Sequence, residues 1–127
     1  MRLLTCVCLT LAVLACGDSS GPGRQVVLDV TALAAPDTVP AAGPLTVTVT
    51  VTVGGCLSFE RFHVERTAAR LDLVAVGRDG SGPGVACTAD VRYEAHEYSA
   101  GPPFTDPFTV AVRQPDGSSI TRQVHVR

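Results

Sequence analysis

Nine residues near the middle of the chain, Leu45–Val53, read LTVTVTVTV. Leu45, Val47, Val49, Val51 and Val53 point one way and four threonines the other, the period-two alternation of a half-buried β-strand. Weaker alternation or β-rich runs cover Gln25–Leu33, Leu57–Glu65, Ala69–Val76, Val85–Tyr93, Phe108–Arg113 and Ile120–Val126. Turn signals separate them, Pro115-Asp116-Gly117 between the last two runs and Asp79-Gly80-Ser81-Gly82-Pro83-Gly84 before Val85. Seven such strands predict a single antiparallel β-sandwich over residues 25–127. Within Thr67–Ala75 a helical stripe of Val64, Ala68, Leu71 and Ala75 competes, and the strand is kept. A long connection, Glu94–Pro107, follows the fifth strand and carries Glu94, His96, Glu97, Tyr98 and Phe104. Charge and aromatic rings on a long loop suit a partner-binding surface, with packing of Tyr98 and Phe104 over the sandwich as the alternative.

The first residues follow another pattern. Arg2 supplies a positive charge, Leu3–Leu14 form a nearly unbroken apolar run, and Val13-Leu14-Ala15-Cys16 ends it with a small residue before a cysteine. Twelve residues of helix rise about 18 Å, short of a bilayer core of about 30 Å, so the run reads as a signal peptide. Its last four residues resemble the lipobox of bacterial lipoproteins. That resemblance implies lipidation of Cys16, removal of residues 1–15, and attachment to a membrane by several acyl chains, each buried methylene contributing about 0.8 kcal/mol. Gly17 in place of Asp after the cysteine resembles the sorting pattern that favours the outer membrane, which implies a domain in the cell envelope, anchored there and facing the periplasm. Residues 16–24, with Gly17, Gly21 and Gly23 and no apolar residue from Gly17 to Gly23, read as a flexible tether.

In such a compartment thiols oxidise. Cys6 and Cys8 leave with the signal, Cys16 takes the lipid, and Cys56 and Cys87 remain as a pair. A disulfide between them, 31 positions apart, would contribute roughly 3 to 4 kcal/mol, and free buried thiols are the alternative.

The chain has ten Arg and no Lys, which removes phosphate-loop, Schiff-base and general-base lysines. After loss of the signal, nine Arg face twelve acidic residues without any basic cluster, so nucleic acid is not an expected partner. His63 with Glu65, and Glu94 with His96 and Glu97, raise a metal-binding or hydrolytic alternative, but no His-x-x-x-His spacing or nucleophile elbow accompanies them. No cofactor and no catalytic residue is expected.

The segment Ala35-Pro36-Asp37-Thr38-Val39-Pro40-Ala41-Ala42-Gly43-Pro44, running into the Thr/Val strand, resembles the first half of bacterial immunoglobulin-like or fibronectin type III-like domains. The resemblance implies that Leu45–Val53 pairs antiparallel with the strand beginning near Cys87, which would bring Cys56 and Cys87 together at one end. It also implies that the tether enters at that end. The functional expectation is a membrane-anchored lipoprotein with a non-catalytic binding or scaffolding domain. An accessory subunit pairing through a sheet edge with a larger envelope complex is a further alternative.

Overall fold

A computed structural model describes residues 23–127. The signal peptide, Cys16 and nearly all of the tether lie outside the described residues. The described chain is all-β. Its strands are β1 (Arg24–Val27), β2 (Val30–Ala34), β3 (Thr38–Val39), β4 (Leu45–Val53), β5 (Leu57–Arg66), β6 (Arg70–Asp79), β7 (Arg92–Ala100), β8 (Phe108–Arg113) and β9 (Ser119–Val126). They form two sheets, one of six strands and one of three, β2-β4-β7.

The core follows from the alternation. All five apolar residues of β4 are fully buried, facing Leu71, Leu73 and Ala75 of β6 and Phe108, Val110 and Val112 of β8. Each buried Val or Leu contributes about 1.5 to 3 kcal/mol of transfer free energy, so β4 is the centre of the molecule. Its threonines face outward, half-exposed or exposed.

The N-terminal segment departs from the single strand expected over Gln25–Leu33. β1 pairs with Val76–Asp79 of β6, the chain crosses to pair β2 with β4, and β3 returns to lie parallel to β9. Leu28 makes the first crossing and is buried, with its side chain over Gly77 in mid-β6. A Cβ on Gly77 would meet the Leu28 side chain at 2.5 Å and the Ser58 carbonyl at 2.6 Å. Only the smallest residue lets the crossing chain lie this close.

The larger sheet is mixed rather than purely antiparallel. β5 and β6 form an antiparallel hairpin, closed at Thr67 and Arg70, whose mutual backbone hydrogen bonds define a tight turn. That turn resolves Thr67–Ala75 as turn and strand rather than helix. β8 then pairs with Arg70–Val74 of β6 in parallel and with β9 antiparallel. β8 and β1 therefore lie end to end along one edge of β6.

The fifth strand is displaced. Val85–Val91 is loop, and the partner of β4 is Arg92–Ala100, paired over the full nine residues from Leu45↔Ala100 to Val53↔Arg92. The expected antiparallel neighbour of Leu45–Val53 is present, seven residues later than the apolar pattern places it. Cys56 and Cys87 are joined by a disulfide with a Cα–Cα distance of 5.2 Å, linking the β4–β5 turn to the β6–β7 loop. Arg24 pairs with Asp79 beside that turn, while Val39 pairs with Val126 at the opposite pole. The chain thus enters the sandwich at the disulfide pole and leaves it at the other.

Candidate functional site

The residues expected on one long loop divide between a strand and a short connection. Glu94, His96, Glu97 and Tyr98 belong to β7, and Phe104 lies in the connection 101–107. The expectation of a loop over Glu94–Pro107 is corrected accordingly. Phe104 is a packing residue: its ring meets Phe108 edge-on at 5.0 Å, and the Arg66 guanidinium lies 4.8 Å above it. Arg66 also donates to the carbonyls of Gly101 and Pro103, fixing the connection against the end of β5.

On β7 the side chains alternate. Glu94, His96 and Tyr98 turn toward the other sheet, whereas Tyr93, Ala95, Glu97 and Ser99 are exposed on the outer face. His96 stacks on Phe59 of β5 at 3.7 Å and lies 3.3 Å from Glu94. Tyr98 meets Phe62 edge-on at 6.1 Å, and Phe62 meets Phe59 at 5.0 Å. An aromatic seam therefore runs between the rims of β5 and β7, partly open to solvent, with the His96 side chain 28% exposed. Glu97 points away from this seam.

His63 is elsewhere, on the outer face of β5. There it lines a groove of about 220 Å³ with Glu65, Arg70, Asp72, Arg113 and Ser119. The groove's charges pair within strands, His63 with Glu65 at 3.6 Å and Arg70 with Asp72 at 2.8 Å. His63, Glu94, His96 and Glu97 thus occupy three different faces. Among the described residues no three His, Cys, Asp or Glu side chains converge to hold a metal ion.

The backbone of β7 carries a feature that side-chain chemistry does not reveal. Thr52 of β4 donates its amide to the Asp29 carbonyl at 2.9 Å, on the β2 side. In an antiparallel ladder the direction alternates, so the even-numbered residues of β4 bond toward β2 and the odd-numbered ones toward β7. The partners of the even-numbered residues, Tyr93, Ala95, Glu97 and Ser99, therefore turn their N–H and C=O groups away from β4. No strand among the described residues receives them.

The other rims are shorter or interrupted; β3 covers β9 only at His125 and Val126, which leaves residues 119–124 without a second strand among the described residues. β1 and β3 are four and two residues long. β5 is broken by a bulge between Phe59 and Arg61, with Glu60 paired to Arg78 at 2.8 Å. On β2, the Gln114 side chain takes both backbone groups of Val30. Among the described residues β7 has neither bulge nor proline nor cover, features by which natural sheets blunt an edge.

The disulfide pole is held by more than sulfur. Asp90 accepts from the Gly55 amide at 3.2 Å, from the Thr88 hydroxyl and from Arg92, tying the same two segments as the disulfide. The Thr88 hydroxyl, then the Gly55 amide, hold the Asp90 carboxyl below its ordinary range despite opposing desolvation. Compared with protein-family models, curated proteins and solved structures, the chain matches none.

Proposed function

We propose that the protein is a membrane-anchored bacterial lipoprotein whose β-sandwich is a non-catalytic binding or scaffolding domain, with the rim of β7 as its binding site. The nine-residue β7 rim, uncapped among the described residues, carries the binding part of this reading. A rim with unpaired amides and carbonyls is a template for another strand, and β7 is the longest unbroken one among the described residues.

The anchoring part rests on Arg2, the Leu3–Leu14 run and the lipobox-like Val13–Cys16. Entry of the chain at the disulfide pole supports it, because an anchor at Cys16 would turn that pole toward the membrane and leave β7 standing along its length. The outer membrane, periplasmic side, is the location that Gly17 favours. The immunoglobulin-like reading is supported by the order β2-β4-β7 and by β3 lying parallel to β9, while the parallel β6–β8 pair departs from the usual strand arrangement.

Two measurements test the proposal. Palmitate labelling and membrane fractionation should show a labelled, membrane-bound chain that Cys16→Ser leaves unlabelled; an intact, unlipidated N-terminus on soluble material would sink the anchor. A photo-crosslinking amino acid at Ala95 should yield a discrete adduct in cells, and the same group at Thr109 of β8, a strand paired on both edges, should not. Equal yields at both positions would remove β7 as the binding site.

A further inference from the structure

We infer that the β7 rim accepts an extended segment of a partner protein, antiparallel to β7, with a basic residue opposite Glu97 and apolar residues opposite His96 and Tyr98. This rests on the binding-site reading of β7 and names its occupant.

Three observations converge on that segment. The first is the backbone: Tyr93, Ala95, Glu97 and Ser99 turn eight N–H and C=O groups away from β4, none with a partner among the described residues. An antiparallel strand pairs residue against residue, and each directly opposed pair places its side chains on the same face. The second is the inner face. Residues opposite His96 and Tyr98 would enter the open side of the seam formed by Phe59, Phe62, His96 and Tyr98, where apolar side chains remove aromatic surface from water. The third is the outer face. Glu94 has Arg92 and His96 beside it, but Glu97 has no charged or hydrogen-bonding partner among the described residues, so a cation opposite it meets an unpaired carboxylate. A repeat of apolar, basic, apolar follows from the two faces.

A second copy of this chain fits less well. Antiparallel β7–β7 pairing would direct the two Gly23 ends oppositely. The seven residues from Gly17 to Gly23 span at most about 25 Å, less than the roughly 30 Å length of the sandwich. Two chains tethered to one surface would not reach that arrangement.

The test uses the purified full-length chain in non-ionic detergent and nine-residue peptides alternating Val with Lys or Val with Glu. The Val/Lys peptide should bind at least tenfold more tightly than Val/Glu, and Glu97→Lys should reverse that order. Only residues opposite Tyr93, Ala95, Glu97 and Ser99 exchange backbone hydrogen bonds with β7. N-methylation at the Lys positions should therefore weaken binding at least tenfold, while N-methylation at the Val positions should change it less than threefold. This readout leaves the protein unaltered.

Equal effects of the two methylation patterns, equal binding of Val/Lys and Val/Glu, or no binding of either peptide would each overturn the inference. So would a dimer of the wild-type chain that Ala95→Pro abolishes, since it gives the rim to a second copy. An adduct at position 95 in cells without peptide binding would remove this occupant and leave β7 as the binding site. Loss of both results would remove the site as well.

Discussion

Gln114 holds both backbone groups of Val30 with one side-chain amide. Its Oε1 accepts from the Val30 N–H at 2.9 Å and its Nε2 donates to the Val30 carbonyl at 2.7 Å. The glutamine stands in for a neighbouring strand where the N-terminal segment leaves one sheet for the other. Gln114→Leu leaves two part-buried backbone groups without partners, at about 1 to 3 kcal/mol for each unsatisfied group. A lower denaturation midpoint and faster hydrogen exchange at the Val30 amide are expected. Unchanged exchange there would show that the pair does not protect the rim.

Gly77→Ala tests the first sheet crossing. The added methyl would meet Leu28 and the Ser58 carbonyl within 2.7 Å, and the carbonyl cannot turn aside without disturbing the β5–β6 hairpin. Overpacking of this kind costs about 1 to 3 kcal/mol. Pairing the change with Leu28→Ala relieves one clash but not the other, so thermal melting should recover only in part.

Reduction of Cys56–Cys87 should lower stability by roughly 3 to 4 kcal/mol, given its separation of 31 positions. The measurement is urea denaturation with and without reductant, alongside Cys56→Ala. The variant should behave alike in both conditions and match the reduced wild type.

Acid should weaken the fold through Asp90, Asp79 and Asp116, all held below the ordinary aspartate value. The Thr88 hydroxyl is the main cause for Asp90, the Ser81 hydroxyl for Asp79 and the Ser118 hydroxyl for Asp116. A carboxyl whose folded pKa is depressed stabilises the fold above its unfolded pKa, and that contribution is lost as pH falls through the folded value. The denaturation midpoint should therefore be flat near neutrality and fall below about pH 4. Asp90→Asn should start lower at neutral pH and fall less steeply.

Much of this architecture is written in the residues, and what is not has physical reasons. Leu45–Val53 declares itself because inward Val and outward Thr alternate without a break, and Pro115–Gly117 marks its hairpin by turn chemistry. β7 does not, because its inward positions Glu94 and His96 sit at the rim of the sandwich and need not be apolar. Meanwhile Val85 and Val91, which suggest a strand, are 52% and 64% exposed in a loop fixed by the disulfide and Asp90. The switch at Leu28 is hidden because Leu28 and Val30 are both buried, each facing inward from a different sheet. Parallel pairing of β6 with β8 leaves no local mark, since the partners are 39 positions apart and another sheet's strand intervenes. For the site, side-chain types drew attention to Glu94–Tyr98, but the rim's outward amides and carbonyls depend on β7 having β4 as its one neighbour among the described residues.

Entry and exit at opposite poles make the sandwich a rigid spacer. A nine-residue strand at about 3.4 Å per residue sets its height near 30 Å. Tandem copies joined through Gly23 and Arg127 would stack in line like beads on a rod, and a reporter fused after Arg127 would be carried a full domain height away from whatever holds the first residues.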